Sequence, residues 1–270
     1  MSDDLDYLDH LSRDSARFRE VLRDADPGSA VPSCPGWTAD DLLWHLAEVQ
    51  WFWSRVVGGP ITDGSEVSSL EHPERPADRV ALLAFFDRSS GELQQALGAT
   101  SPETPAWTWS SEQTAGFTRR RQAHEALIHR LDAELTTGRR TDLDPALAAD
   151  GVLEALAVMF GGHPPWGTFT PEEGRLVRFR ATDTGDEWWV TLGRFVGRDP
   201  DADGDGAEVD EDDIGIVAPA AGAEAPATIS GTAADLDAWL WHRPPSGEVS
   251  TDGDSATLER VGAILSQPIN

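Results

Sequence analysis

The chain has 270 residues, enough for one large domain or two modest ones, and carries 48 acidic against 21 basic residues for a formal net charge of -27. A field of that sign repels nucleic acid and anionic membrane surfaces, which excludes both as expected partners. The single cysteine, Cys34, rules out an internal disulfide, and no apolar run approaches the roughly 20 residues needed to span a bilayer.

The start, Met1-Ser2-Asp3-Asp4, lacks the basic and apolar regions of a secretory signal, so the expected location is the cytoplasm. Leu11, Ser15, Phe18 and Leu22 recur at helical spacing and predict an amphipathic helix over 4–24, ended by Asp26-Pro27-Gly28. A second helix, to about Val57, opens on Thr38 as N-cap with Asp41 at the third helical position and Trp37 placed to staple against Leu42. Its predicted buried stripe is Leu42, His45, Val49, Phe52 and Val56. The third helix, over 77–98, shows Leu83, Phe86, Leu93 and Leu97 on one face. A loop over 98–116 follows, in which Trp107 and Trp109 either cap a pocket or pin the loop to the core. The fourth helix, over 117–136, carries Arg121, Glu125, His129 and Asp132 on one side and Leu127, Leu131 and Leu135 on another, so burial on more than one side is expected. A fifth begins with Asp144 as N-cap and Pro145 at the first position and ends near Phe160. Together these suggest an up-and-down bundle over 1–163. Beyond it, strands are predicted over 176–181, 187–195, 214–217 and 227–230, the first two joined by the turn cluster 182–186, with helices over 233–241 and 255–265. Residues 164–270 thus read as a small α+β domain, giving an α+β two-domain fold.

Glu125 and His129 lie four apart, so on a helix they can grip one ion, and His45 from a facing helix would complete a set of two histidines and one carboxylate. Taken alone, the Glu125/His129 pair also describes a solvated ion pair, and His45 also describes a core histidine satisfied by a hydrogen bond. His124 and His129 are five apart and point about 140° from each other, which removes His124 from the set and excludes a zinc-protease His-Glu-x-x-His motif. Arg121 is either a contact for an anionic substrate or the i, i+4 partner of Glu125. Asp132 either orients a ligating histidine or makes a polar contact between helices. Cys34 reads as a packed loop residue beside Trp37, since no His-Asp arrangement near it supports a nucleophile. The run Asp201-Ala202-Asp203-Gly204-Asp205-Gly206 matches the start of a calcium loop, but its twelfth position is Asp212 instead of Glu and a strand precedes it, so it reads as a solvated hairpin loop.

Cys-Pro-Gly-Trp-Thr at 34–38, the helix with Leu-x-x-His-Leu, and His-Glu-x-x-x-His-Arg-x-Asp-Ala-Glu at 124–134 resemble the mycothiol-dependent maleylpyruvate isomerase family over nearly the whole chain. The resemblance implies an N-terminal DinB-like four-helix bundle with a small α+β C-terminal domain. It also implies that His45, Glu125 and His129 bind a divalent metal, zinc by preference, and that mycothiol or another low-molecular-weight thiol is the cofactor. Arg243 resembles a family arginine at a helix end that could act on substrate, although His242 stands where the family often has a small residue. Three protein ligands leave a metal one open position, and a thiol held there is deprotonated near neutral pH. Such a thiolate could add to an activated double bond and leave after rotation, which is isomerisation, or displace a leaving group and stay, which is transfer. The expected partners are therefore a small-molecule thiol and a small, anionic electrophile. The alternative is a non-catalytic member that keeps the bundle as a metal- or ligand-binding regulatory or interaction module, and a metal hydrolase is a third reading.

Overall fold

The computed structural model describes residues 5–59, 61–200 and 206–269. Helices and a five-stranded sheet segregate along the chain, as an α+β fold of two domains requires. The compact units divide between Asp142 and Leu143. The boundary expected at 163 therefore lies one helix too late, because Ala148, Ala149, Val152, Ala155 and Leu156 of the fifth long helical segment belong to the same apolar core as the sheet.

Four long helices build the first unit: α1 (Tyr7–Arg23), α2 (Ala39–Gly58), α4 (Arg79–Ala99) and α5 (Ala115–Thr137), with a single exposed turn, α3 (Gly64–Val67), between the second and third. That turn has no apolar periodicity and was not predicted. α1 packs on α5 and α4, while α2 packs on α4 and α5. Phe18, Leu22, Leu42, Leu46, Leu82 and Phe86 meet in the core between them. The start of α2 follows the expected chemistry: Thr38 Oγ1 accepts from the Asp41 N–H at 3.2 Å, and the Asp41 carboxylate accepts from the Thr38 N–H at 2.8 Å. α5 ends where Gly138 adopts φ 66°, a left-handed conformation that suits glycine at a helix C-terminus. Most of α5 is buried, and its charges are matched inside the unit. Glu134, fully buried, accepts from Arg17 Nε at 2.9 Å and from the Thr141 N–H at 2.8 Å, and Arg130 lies 3.0 Å from Asp14. This network joins α1 to α5.

The predicted stripe of α2 needs correction. Its buried residues are Ala39, Leu42, Leu43, Leu46, Ala47, Gln50, Trp53, Ser54, Val56 and Val57, so the core face is turned by about one position and His45, Val49 and Phe52 lie half-buried along its flank. A periodic pattern locates a face only to within a residue, and α2 is apolar on more than one side. The same small rotation exchanges Leu83 for Leu82 and Phe85 in α4. Trp107 pins its loop: it stacks on Trp53 at 6.0 Å between ring centres, and its backbone N–H donates to Ile61 at 2.8 Å. Trp109 is half-exposed and meets Phe117 edge-on.

In the second unit, α6 (Pro145–Glu154) runs on as π-helical turns over Ala155–Phe160. The sheet follows as β1 (Gly167–Ala181), β2 (Glu187–Asp199), β3 (Ala207–Val217), β4 (Ala227–Gly231) and β5 (Ser250–Gly253), in the order β3-β2-β1-β4-β5. β1 and β4 are parallel and the other neighbours antiparallel. α7 (Ala233–Leu240) and α8 (Ser255–Leu265) share the sheet's core with α6. β3 starts seven residues before the predicted strand, because its acidic run 208–213 lacks strand propensity and is held by cross-strand charge instead. Arg194 reaches Asp210 at 2.6 Å and its register partner Asp212 at 2.9 Å. β5, four exposed polar residues, carries no strand pattern and was missed. Most of the 201–206 run lies outside the described residues.

Candidate metal centre

His45 comes from the second turn of α2 and Glu125 and His129 from successive turns of α5, helices that pack against each other. One ligand-capable atom from each residue lies within 4.8 Å of the other two. Among the described residues this is the one such group of three or more His, Cys, Asp or Glu side chains. His129 Nε2 stands 3.2 Å from Glu125 Oε2, and the His45 and His129 rings meet edge-on at 4.8 Å between centres. His129 is buried while His45 and Glu125 are half-buried.

The electrostatics favour charged forms of both α5 residues. Burial disfavours the Glu125 carboxylate, but Arg121, 3.5 Å away, together with the hydrogen bond to His129 and the charge of His45, outweighs it and holds the carboxyl below its usual range. Burial likewise opposes charge on His129. Hydrogen bonds to Asp132 and Glu125 overcome that and raise it to about 9.

Asp132 is fully buried and receives His129 Nδ1 at 2.9 Å, so one oxygen of the carboxylate fixes the ring and leaves Nε2 facing Glu125. Its other oxygen accepts from Ser33 Oγ at 2.5 Å, and Cys34 Sγ lies 3.7 Å from the first. Of the two readings of Asp132, the histidine-orienting one matches this geometry. Ser33 has no sequence signal, since a serine in a loop is unremarkable until its partner is known. Trp37 packs its ring 4.9 Å from that of His45. His124 stands apart from the trio, buried on α5 with Tyr7 edge-on to its ring. Arg121 is buried and paired with Glu125, the i, i+4 alternative. Cys34 and Trp37 pack against the first unit's core, and the thiol's neighbour is a carboxylate, which does nothing to activate it as a nucleophile. Arg243 belongs to the second unit, just after α7, where its Nη1 donates to the Trp241 carbonyl at 2.6 Å. The preceding His242 has φ 59° and bonds through Nε2 to the Leu265 carbonyl at 2.7 Å, which fixes the turn that carries Arg243.

Comparison with known proteins places the chain in a class. Residues 8–134 match the mycothiol maleylpyruvate isomerase N-terminal domain, and residues 146–260 match the MDMPI C-terminal domain. The chain belongs to the mycothiol maleylpyruvate isomerase family. Two solved structures share its fold, a mycothiol-dependent maleylpyruvate isomerase and a histidine-to-alanine mutant of it, each at 15% identity with a TM-score of 0.54 and coverage of 92% of both chains. A search of curated proteins finds no match. No helix among the described residues is long and apolar enough to cross a membrane.

Proposed function

We propose that this chain is a metal-dependent, mycothiol-dependent isomerase or S-transferase that acts on a small, anionic electrophile such as maleylpyruvate. The observation that carries this reading is the convergence of His45, Glu125 and His129 on one point in a chain that matches the family through both domains. Two imidazole nitrogens and a carboxylate oxygen make a donor set suited to a divalent ion of zinc's type, and a buried carboxylate behind His129 is the usual companion of a ligating histidine. On this reading α1, α2, α4 and α5 form a DinB-like up-and-down bundle that presents the site.

A divalent metal held by His45, Glu125 and His129 would supply the Lewis acidity that lowers the pKa of a thiol toward neutral pH. The protein's own residues prepare that site. Asp132 accepts the Nδ1 proton of His129 and so keeps Nε2 available as a donor. Arg121, 3.5 Å away, helps to hold Glu125 ionised. Trp37 covers one side of the His45 ring and limits water on that side. Arg243 is the proposed contact for an anionic group of the substrate, in a protein whose net charge otherwise repels anions.

The test is turnover of maleylpyruvate and other small electrophiles by zinc-loaded protein, with and without mycothiol or a substitute thiol. Thiol-dependent turnover, lost in His129→Ala together with the bound zinc, is the expected result. Zinc content unchanged by His129→Ala, or turnover that persists without thiol, would overturn it.

A further inference from the structure

The five residues from Ser33 to Trp37, which precede the N-cap of α2, reach both histidines of the candidate site by different routes. Backbone hydrogen bonds close this segment on itself: the Val31 N–H donates to Trp37, Cys34 N–H to Val31 and Trp37 N–H to Cys34, at 3.0, 3.1 and 3.0 Å. Ala30 and Thr38 bridge its base, and Gly36 at φ 87° makes a turn that a side chain would strain. The loop is therefore stiff on its own account. From one end Ser33 donates to the buried carboxylate of Asp132, whose other oxygen holds His129 Nδ1. From the other end the Trp37 ring lies against that of His45 at 4.9 Å.

We propose that the Ser33–Trp37 loop is a positioning device that sets the relative orientation of His45 and His129, and so governs the affinity and geometry of the metal site. The inference rests on the metal-site reading above. Helix packing fixes where the two Cα atoms stand but does not by itself set the side-chain torsions of either imidazole. Asp132 restrains those of His129, and Ser33 restrains Asp132 in turn. Trp37 does the same for His45 by contact. Because both restraints start from one closed loop, the two rings are set against a common reference. Ser33 and Trp37 are positioning residues: Ser33 acts on His129 through Asp132, and Trp37 acts by packing on the ring of His45.

The experiment measures zinc affinity of the full chain by competition with a chromophoric chelator, and the visible absorption of the cobalt-substituted protein, in Ser33→Ala, Trp37→Ala and Asp132→Asn. Each is expected to weaken zinc binding by about 10- to 100-fold, the range for partners that orient ligands, and to alter the cobalt bands. Ser33→Thr, which keeps the hydroxyl, should restore both. Asp132→Asn preserves volume but removes the carboxylate's charge and leaves one acceptor oxygen in place of two, so it separates the electrostatic hold on His129 from packing. Parent protein that binds no zinc would sink the metal-site reading itself. Parent protein that binds zinc and loses it in His129→Ala, while Ser33→Ala and Trp37→Ala stay within about twofold with unchanged cobalt spectra, would overturn the loop's role alone.

Discussion

His129 shows how one residue couples charge, geometry and binding. Its two ring nitrogens face Asp132 and Glu125, and those hydrogen bonds raise its pKa to about 9 in metal-free protein. Its folded value lies above the ordinary 6.5, so its contribution to the stability of metal-free protein is complete below that value and is lost as pH rises through about 9. On the proposed function, a metal bound at Nε2 would displace the proton held there. Apparent zinc affinity should therefore rise about tenfold per pH unit between roughly pH 6.5 and 8.5, with proton release visible by calorimetry in buffers of different ionisation enthalpy. A flat profile would contradict the assignment of His129 as ligand. The Glu125/His129 pair was legible in the sequence because i, i+4 spacing is a geometric fact about helices, whereas His45 joined it only through a facing helix and the family resemblance. Ser33 was not legible, because its role exists only through Asp132, which is distant along the chain.

Among the elements, α2 is defined by its capping box and by the face it turns to the core. Thr38 and Asp41 exchange hydrogen bonds, and Arg75 adds a contact to Asp41 at 2.6 Å. The Thr38 hydroxyl first, then Arg75 and the Thr38 N–H, lower the Asp41 carboxyl to about 2. That carboxylate supports the folded state above the ordinary value of 3.8, and the support fades as pH falls through about 2. Thr38→Ala should cost about 1 kcal/mol in urea unfolding and Thr38→Ser much less. An equal loss in both would remove the cap from the account. The join of α1 to α5 depends on buried charge, and Glu134→Ala should destabilise by about 3 kcal/mol, since it leaves donors of Arg17 and Thr141 without their buried acceptor. A loss under about 1 kcal/mol would mean that water replaces the carboxylate there. Helix boundaries were readable from caps such as Thr38 and Asp144. The rotation of α2 was not, because an element apolar on two sides is oriented by what packs on it.

For the whole molecule, a net charge of -27 predicts self-repulsion that salt relieves. The melting temperature should rise between low salt and about 0.5 M NaCl, where screening is complete within a few ångströms. No change would show that local pairs such as Arg194 with Asp210 and Asp212 already balance the field. Added zinc should raise the melting temperature further in the parent than in His129→Ala, since binding to the native state alone stabilises it. By itself the sequence determined the order of long helices and most strands, the membership of the family and the residues of the trio, because periodicity, caps and motif spacing are local. Tertiary structure alone decided that the helix after Asp144 joins the sheet's core, that His45 lies on the flank of α2, and that the loop from Ser33 to Trp37 reaches both histidines. Those facts depend on which surfaces meet, and burial is a property of the pair, not of either segment.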